Sequence, residues 1–189
     1  MGLFSLFRRN RHERPGFMLY GAAVGAARDA WFYGTLGVPD TLDGRFDTVG
    51  LHVALLIRRL RTDPDPAGAA LAQAVFDAMF ADMDVNLREM GVGDLSVGKK
   101  VKDMWNAFHG RAKAYEAAVS AGDAAALALA LHRNIWREEP PAGQPGEAAR
   151  ALAAHGLLLA QRLATQPLPA LLRGEVHFPP TPEAPADAT

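Results

Sequence analysis

FDAMFADMDVNLREMGVGDLSVGKKVKDMWNAFHGRAKAYEAAV, residues Phe76–Val119, carries the strongest helical signal in the chain. Apolar residues recur at Phe76, Met79, Phe80, Met83, Leu87 and Met90, and again at Val97, Val101, Met104, Phe108 and Tyr115. That three-and-four spacing lines one face of an α-helix. Between the two stripes lies Gly91-Val92-Gly93-Asp94. Gly91 can take the left-handed conformation that ends a helix, and Asp94 or Ser96 can cap the next. The stretch is therefore predicted to be a helical hairpin. Gly110, inside the second arm, costs about 1 kcal/mol relative to alanine and is predicted to mark a close helix crossing.

The two arms carry opposite charge. The first holds Asp77, Asp82, Asp84 and Glu89 against Arg88, and the second holds Lys99, Lys100, Lys102, Arg111 and Lys113 against Asp103 and Glu116. Exposed ion pairs contribute only about 0–1 kcal/mol each. Apolar burial must then hold the hairpin, and part of the charge is free to meet a partner. Of Met79, Met83, Met90 and Met104 most are read as core, although methionine also suits adaptable recognition surfaces.

Outward from the hairpin, the same period continues. Tyr20, Val24, Ala27 and Trp31 predict a helix over Phe17–Leu36, whose Gly21, Ala22, Gly25 and Ala26 would admit a close neighbour. A loop over Gly37–Gly44 follows, then a stripe of Phe46, Val49, Val53, Leu56, Ile57 and Leu60 ending in Arg58, Arg59 and Arg61. Thr62–Pro66 is a turn with helix-start chemistry. Beyond the hairpin, Gly122-Asp123 stops one helix and caps another bearing Leu127, Leu131 and Ile135. Glu138–Gly146 is a Pro/Gly loop, Glu147–Gln166 a last long helix, and Leu168–Leu172 one short turn. No segment alternates like a strand. The expectation is an all-α protein, a single bundle of about six or seven helices with a central helical hairpin.

The 189 residues fit one domain with a sizeable core. We place that domain at residues 16–175, between a basic, partly disordered tail (1–15) and a disordered Pro/Ala/Asp-rich tail (176–189). In the first tail Leu3, Phe4 and Phe7 with Arg8 and Arg9 could form an amphipathic contact with an anionic membrane. No apolar run approaches the roughly 18–20 residues of a spanning helix, and no secretory signal is evident. The chain is expected to be soluble or peripheral. The absence of cysteine excludes thiolate catalysis, disulfides and thiolate metal sites. A net charge of −1 gives no global attraction to nucleic acid or lipid.

Enzyme chemistry does not emerge from the motifs. None of the 6 histidines has a histidine or glutamate at the helical offsets of a metal site. His52, between Arg45 and Arg59 at heptad steps, reads as a helix-surface or boundary residue. Asp82-Met83-Asp84-Val85-Asn86 imitates the start of a calcium loop, but Leu87 stands where glycine is required. Gly93–Lys99 fits GxxxxGK, yet Lys100 replaces the Ser/Thr of a phosphate loop and no strand precedes it. No serine lies in a G-x-S-x-G motif, and no cofactor is implied.

Two blocks of residues resemble a known family. Leu87–Asp94 (LREMGVGD), Val97, Lys99-Lys100-Val101, Met104, Phe108, Gly110-Arg111 and Tyr115 are similar to the signature of the ubiquinol–cytochrome c chaperones, assembly factors of respiratory complex III. Upstream, Phe32-Tyr33, Val38–Thr41, Gly44–Asp47, Leu51-His52 and Arg59-Leu60 match the same pattern. The resemblance implies an all-α protein without enzymatic activity of its own. Mitochondrial members bind newly made cytochrome b, work beside a small partner protein and associate with the mitochondrial ribosome near its exit tunnel. The Ala/Gly/Arg/Pro-rich composition and the start of this chain look bacterial. The expectations are thus a protein client, with cytochrome b first, a ribosome or other acidic partner as the alternative, and a place in the cytoplasm or at the cytoplasmic face of the inner membrane. Arg88, Asp94, Lys99, Lys100 and Arg111 are charged and fall on family positions, which makes them the candidate partner-binding residues.

Overall fold

A computed structural model describes residues 3–182, the side chains of residues 3–10 and Leu95 excepted. Seven α-helices occupy the described residues: α1 (Leu3–Ala27), α2 (Leu42–Arg61), α3 (Pro66–Glu89), α4 (Asp94–Ala121), α5 (Ala124–Leu131), α6 (Glu147–Ala164) and the single-turn α7 (Leu168–Leu171). No strand occurs among them, and the all-α bundle expected from the periodicity is what the chain forms.

The predicted hairpin is α3–α4. Gly91 adopts φ +78°, and the Val92 amide donates to the Leu87 carbonyl at 3.1 Å, closing the first arm as a left-handed glycine does. The cap of the second arm differs from expectation. Gly93 occupies the capping position with no side-chain bond, and Asp94 is the first helical residue. The Asp94 carboxylate is drawn instead to Arg88. Met79 and Met83 are core, as read, while Met90 stands exposed at the hinge. Gly110 marks no crossing: a Cβ there would meet nothing within 4 Å, and the residue is exposed.

Helix α2 lies at the centre. Nearly every residue from Phe46 to Leu56 is buried, so contact with α1, α3, α4 and α6 surrounds it. It begins at Leu42, inside the segment expected as loop, because the Thr41 hydroxyl accepts the Gly44 amide at 3.1 Å. A Cβ on Gly44 would come within 2.0 Å of the Pro39 carbonyl, so only glycine admits this tight entry. Helix α1 packs along α3, with Gly16 against Ala74 rather than at the expected Gly21 and Gly25, which face open space. The Tyr20 hydroxyl donates to Asp82 at 2.6 Å, tying the two helices.

The helix predicted over Phe17–Leu36 breaks after Ala27. The Asp29 carboxylate accepts the Trp31 amide at 2.9 Å, offering the backbone a local alternative to the helical ladder. A π-turn, Trp31–Thr35, then inserts Trp31 and Phe32 into the core. A second π-turn, His132–Trp136, extends α5 and carries Ile135 inward with Leu127 and Leu131.

Helix α1 and the C-terminal segment both continue past the expected domain bounds, 16 and 175. Helix α1 starts at Leu3, so residue 15 is no structural boundary; extending an existing helix avoids the cost of nucleation. The membrane contact through Leu3, Phe4, Phe7, Arg8 and Arg9 involves side chains outside the described residues. At the other end, Val176 and Phe178 pack against the core, because alternate residues of this extended segment turn inward. Residues 183–189 of the expected C-terminal tail lie outside the described residues.

Candidate partner-binding surface

The five charged residues picked from the sequence separate into two settings. At the hinge, Arg88 donates to Asp84 at 2.7 Å one turn back and to Asp94 across the turn. Arg88 and Asp94 are exposed and Asp84 is half-buried, so this triad pins the hairpin's outer corner at the solvent boundary. Lys99 and Lys100 stand exposed on the first turns of α4, and neither makes an ion pair among the described residues.

Arg111 is different. Its side chain is only 19% exposed and its guanidinium is committed to Asp47, whose own side chain is fully buried in α2. Arg137, held at φ 58° just after the second π-turn, adds a bond to Asp47 at 3.1 Å and another to Asp43 at 2.7 Å. Two cations thus clamp one buried carboxylate and fasten α4 and the turn after α5 to α2. Burial still outweighs both cations and raises the Asp47 carboxyl to about 6. Arg111 therefore anchors α4 from behind, while the lysines face outward.

The outward face of α4 also bears an aromatic pair that sequence reading missed. Trp105 is 43% exposed, and its ring lies 3.9 Å from the His109 imidazole, centroid to centroid. The His109 Nδ1 bonds the Trp105 carbonyl at 2.9 Å, one helical turn back, which fixes the ring in this stack. Lys102 and Lys113 flank the pair at helical spacing, both exposed. A tryptophan on a lysine-bearing polar stripe was the available signal. This combination of a flat apolar ring and flexible cations suits an acidic or amphipathic partner.

A concave site lies beside the middle of α2. His52, read from the sequence as a helix-surface or boundary residue, is 1% exposed, a correction with a clear cause: α6 and the first π-turn close over it. Its ring meets Phe32 at 5.5 Å, His155 of α6 at 6.3 Å and Phe178 at 5.7 Å. The Thr48 carbonyl lies 2.8 Å from Nδ1, so Nδ1 carries the proton and Nε2 is left as an acceptor. Burial pushes the imidazole down to about 4, and burial also lowers His155. Both rings are neutral near pH 7. They line a pocket of about 300 Å³ with Arg28, Asp29, Phe178 and Thr181. Among the described residues no group of three or more His, Asp or Glu could hold a metal ion. Likewise, no helix among them is long and apolar enough to cross a membrane.

Comparison with known proteins accords with this architecture. The family model described as Ubiquinol-cytochrome C chaperone matches residues 34–178, from the first π-turn through Phe178. The crystal structure of the Cbp3 homolog from Brucella abortus is similar at 37% identity and a TM-score of 0.79, over 95% of this chain and 98% of that one. A search of curated proteins found no match. With more than half of its length matched by the family model and an all-α fold shared at that identity, the chain belongs to the ubiquinol–cytochrome c chaperone family.

Proposed function

We propose that this protein is a non-enzymatic assembly chaperone for respiratory complex III that binds an unassembled or nascent membrane subunit, with cytochrome b as the first candidate client. The family match over residues 34–178 carries this reading. The contact is assigned to the exposed face of the hairpin: Arg88 and Asp94 at the hinge, Lys99 and Lys100 on the first turns of α4, and Trp105 with His109 beyond them. Arg111 supports that face through Asp47 rather than touching the client. The protein acts at the cytoplasmic side of the inner membrane, where a membrane subunit emerges, and the Leu3–Arg9 segment is assigned a peripheral lipid contact. The test is affinity capture from mildly solubilised membranes. Cytochrome b is expected to co-purify with the wild-type chain and to be lost with Lys99→Glu/Lys100→Glu. Equal capture by both would refute the assigned surface, and recovery of no complex III subunit would refute the client.

A second reading, a helical adaptor that contacts the ribosome or another acidic partner, is favoured by the exposed lysines of α4 around Trp105, none of which makes an ion pair among the described residues. Co-sedimentation with ribosomes that falls as salt rises, and is abolished by the same double reversal, would support it.

A further inference from the structure

After α7 the chain turns sharply and lies back across the histidine pocket. Gly174 makes the turn at φ +84°, where an added Cβ would meet Met18 at 2.8 Å. The following residues alternate in burial as an extended segment does, with Val176 and Phe178 turned inward and Glu175 and His177 outward. One side chain captures the backbone: the Gln166 amide donates to the His177 carbonyl at 2.7 Å and accepts the His177 amide at 2.9 Å. Phe178 sits over the His52 ring.

This is how an extended peptide is held by a receptor, with paired main-chain bonds for affinity and alternate side chains in pockets for selection. The resident segment leaves a pocket of about 300 Å³ beside Phe178. His52 and His155 form its neutral wall, where an apolar or aromatic side chain meets no buried charge, while Arg28 and Asp29 line its exposed rim.

We propose that the groove formed by Gln166, His52, His155 and the first π-turn is a docking site for an extended apolar segment of a client, and that residues 175–181 occupy it in cis. The incoming segment carries an aromatic residue two positions after an aliphatic one, as Val176-His177-Phe178 does. This goes beyond the surface assigned to α4 and rests on the chaperone reading only for the source of the incoming segment. Because the resident segment is tethered, its effective concentration is on the order of millimolar, and a free peptide competes poorly until the tether's own anchors are weakened.

The test uses full-length protein and a labelled peptide of sequence GEVHFPPTP, which copies Gly174–Pro182. By fluorescence anisotropy, a Phe178→Ala chain is expected to bind the peptide at least about tenfold tighter than the wild-type chain. A peptide with alanine for phenylalanine should not bind. Should Phe178→Ala unfold, as read by far-ultraviolet circular dichroism, His177→Pro removes the amide that Gln166 accepts and leaves the groove intact. It should show the same gain. A folded variant with no gain, or equal binding of a scrambled peptide, overturns the proposal. Peptide binding is read without any complex III subunit, so failure here leaves the chaperone reading standing, and failure of client capture leaves the groove standing.

Discussion

Arg111→Ala tests the division between anchoring and outward-facing cations. Asp47 is fully buried, and removing Arg111 leaves it with Arg137 alone. Breaking a buried pair by deleting one partner costs about 3–5 kcal/mol. The low end applies, because the Asp47 carboxyl already stands at about 6 and takes up a proton near pH 7 for little more than about 1.4 kcal/mol. In a chain of this size about 3 kcal/mol lowers Tm by roughly 6–12 °C. Adding Asp47→Asn keeps the volume, removes the stranded charge and should restore at least about 1 kcal/mol, a coupling read from a double-mutant cycle in urea. Lys99→Ala and Lys100→Ala, by contrast, should each stay within about 0.5 kcal/mol of wild type. An Arg111→Ala protein whose Tm falls no further than those of the lysine variants would refute the anchoring role.

Three further perturbations follow from the same geometry. His52 is held at about 4, below its usual 6.5, so the unfolded chain binds the extra proton and stability is lost as pH falls from 6.5 through 4, by up to about 3 kcal/mol. Asp47, raised to about 6, acts with the opposite sign over pH 4–6, so the His52 contribution is read as the wild type minus His52→Asn difference in urea unfolding; it should shrink towards pH 4, and a constant difference would contradict it. Gly91→Ala forces a side chain to φ +78° and should cost about 1–2 kcal/mol, with loss of helix at the hairpin corner seen by hydrogen exchange. Tyr20→Phe removes the bond to Asp82 between α1 and α3 and should cost about 1–2 kcal/mol by thermal melting.

The fold was legible wherever burial follows a helical period. The stripes of α2 and α3, the Asp123 cap and the Gly91 stop all emerge from local spacing, because each is decided within one or two turns. The break after Ala27 was not, since the Trp31 period continues smoothly while the cause is a single carboxylate, Asp29, bonding its own backbone. The site was half legible. Arg88 and Asp94 meet because they flank one turn, whereas Arg111, Arg137 and Asp47 converge from three distant segments and no local pattern announces that. His52 was misplaced for the same reason. Its neighbours on α2 leave it at a stripe edge, and only His155 and Phe178, more than a hundred residues away, bury it. Gln166 looks like a helix-end polar residue until the strap lies against it.

The chaperone role itself is tested most directly by deleting the gene and measuring assembled complex III and the reduced-minus-oxidised spectrum of cytochrome b in isolated membranes. Both should fall in the deletion strain and return with the wild-type chain. A folded Lys99→Glu/Lys100→Glu chain should fail to restore them. Complex III and cytochrome b at wild-type levels in the deletion strain would contradict the account.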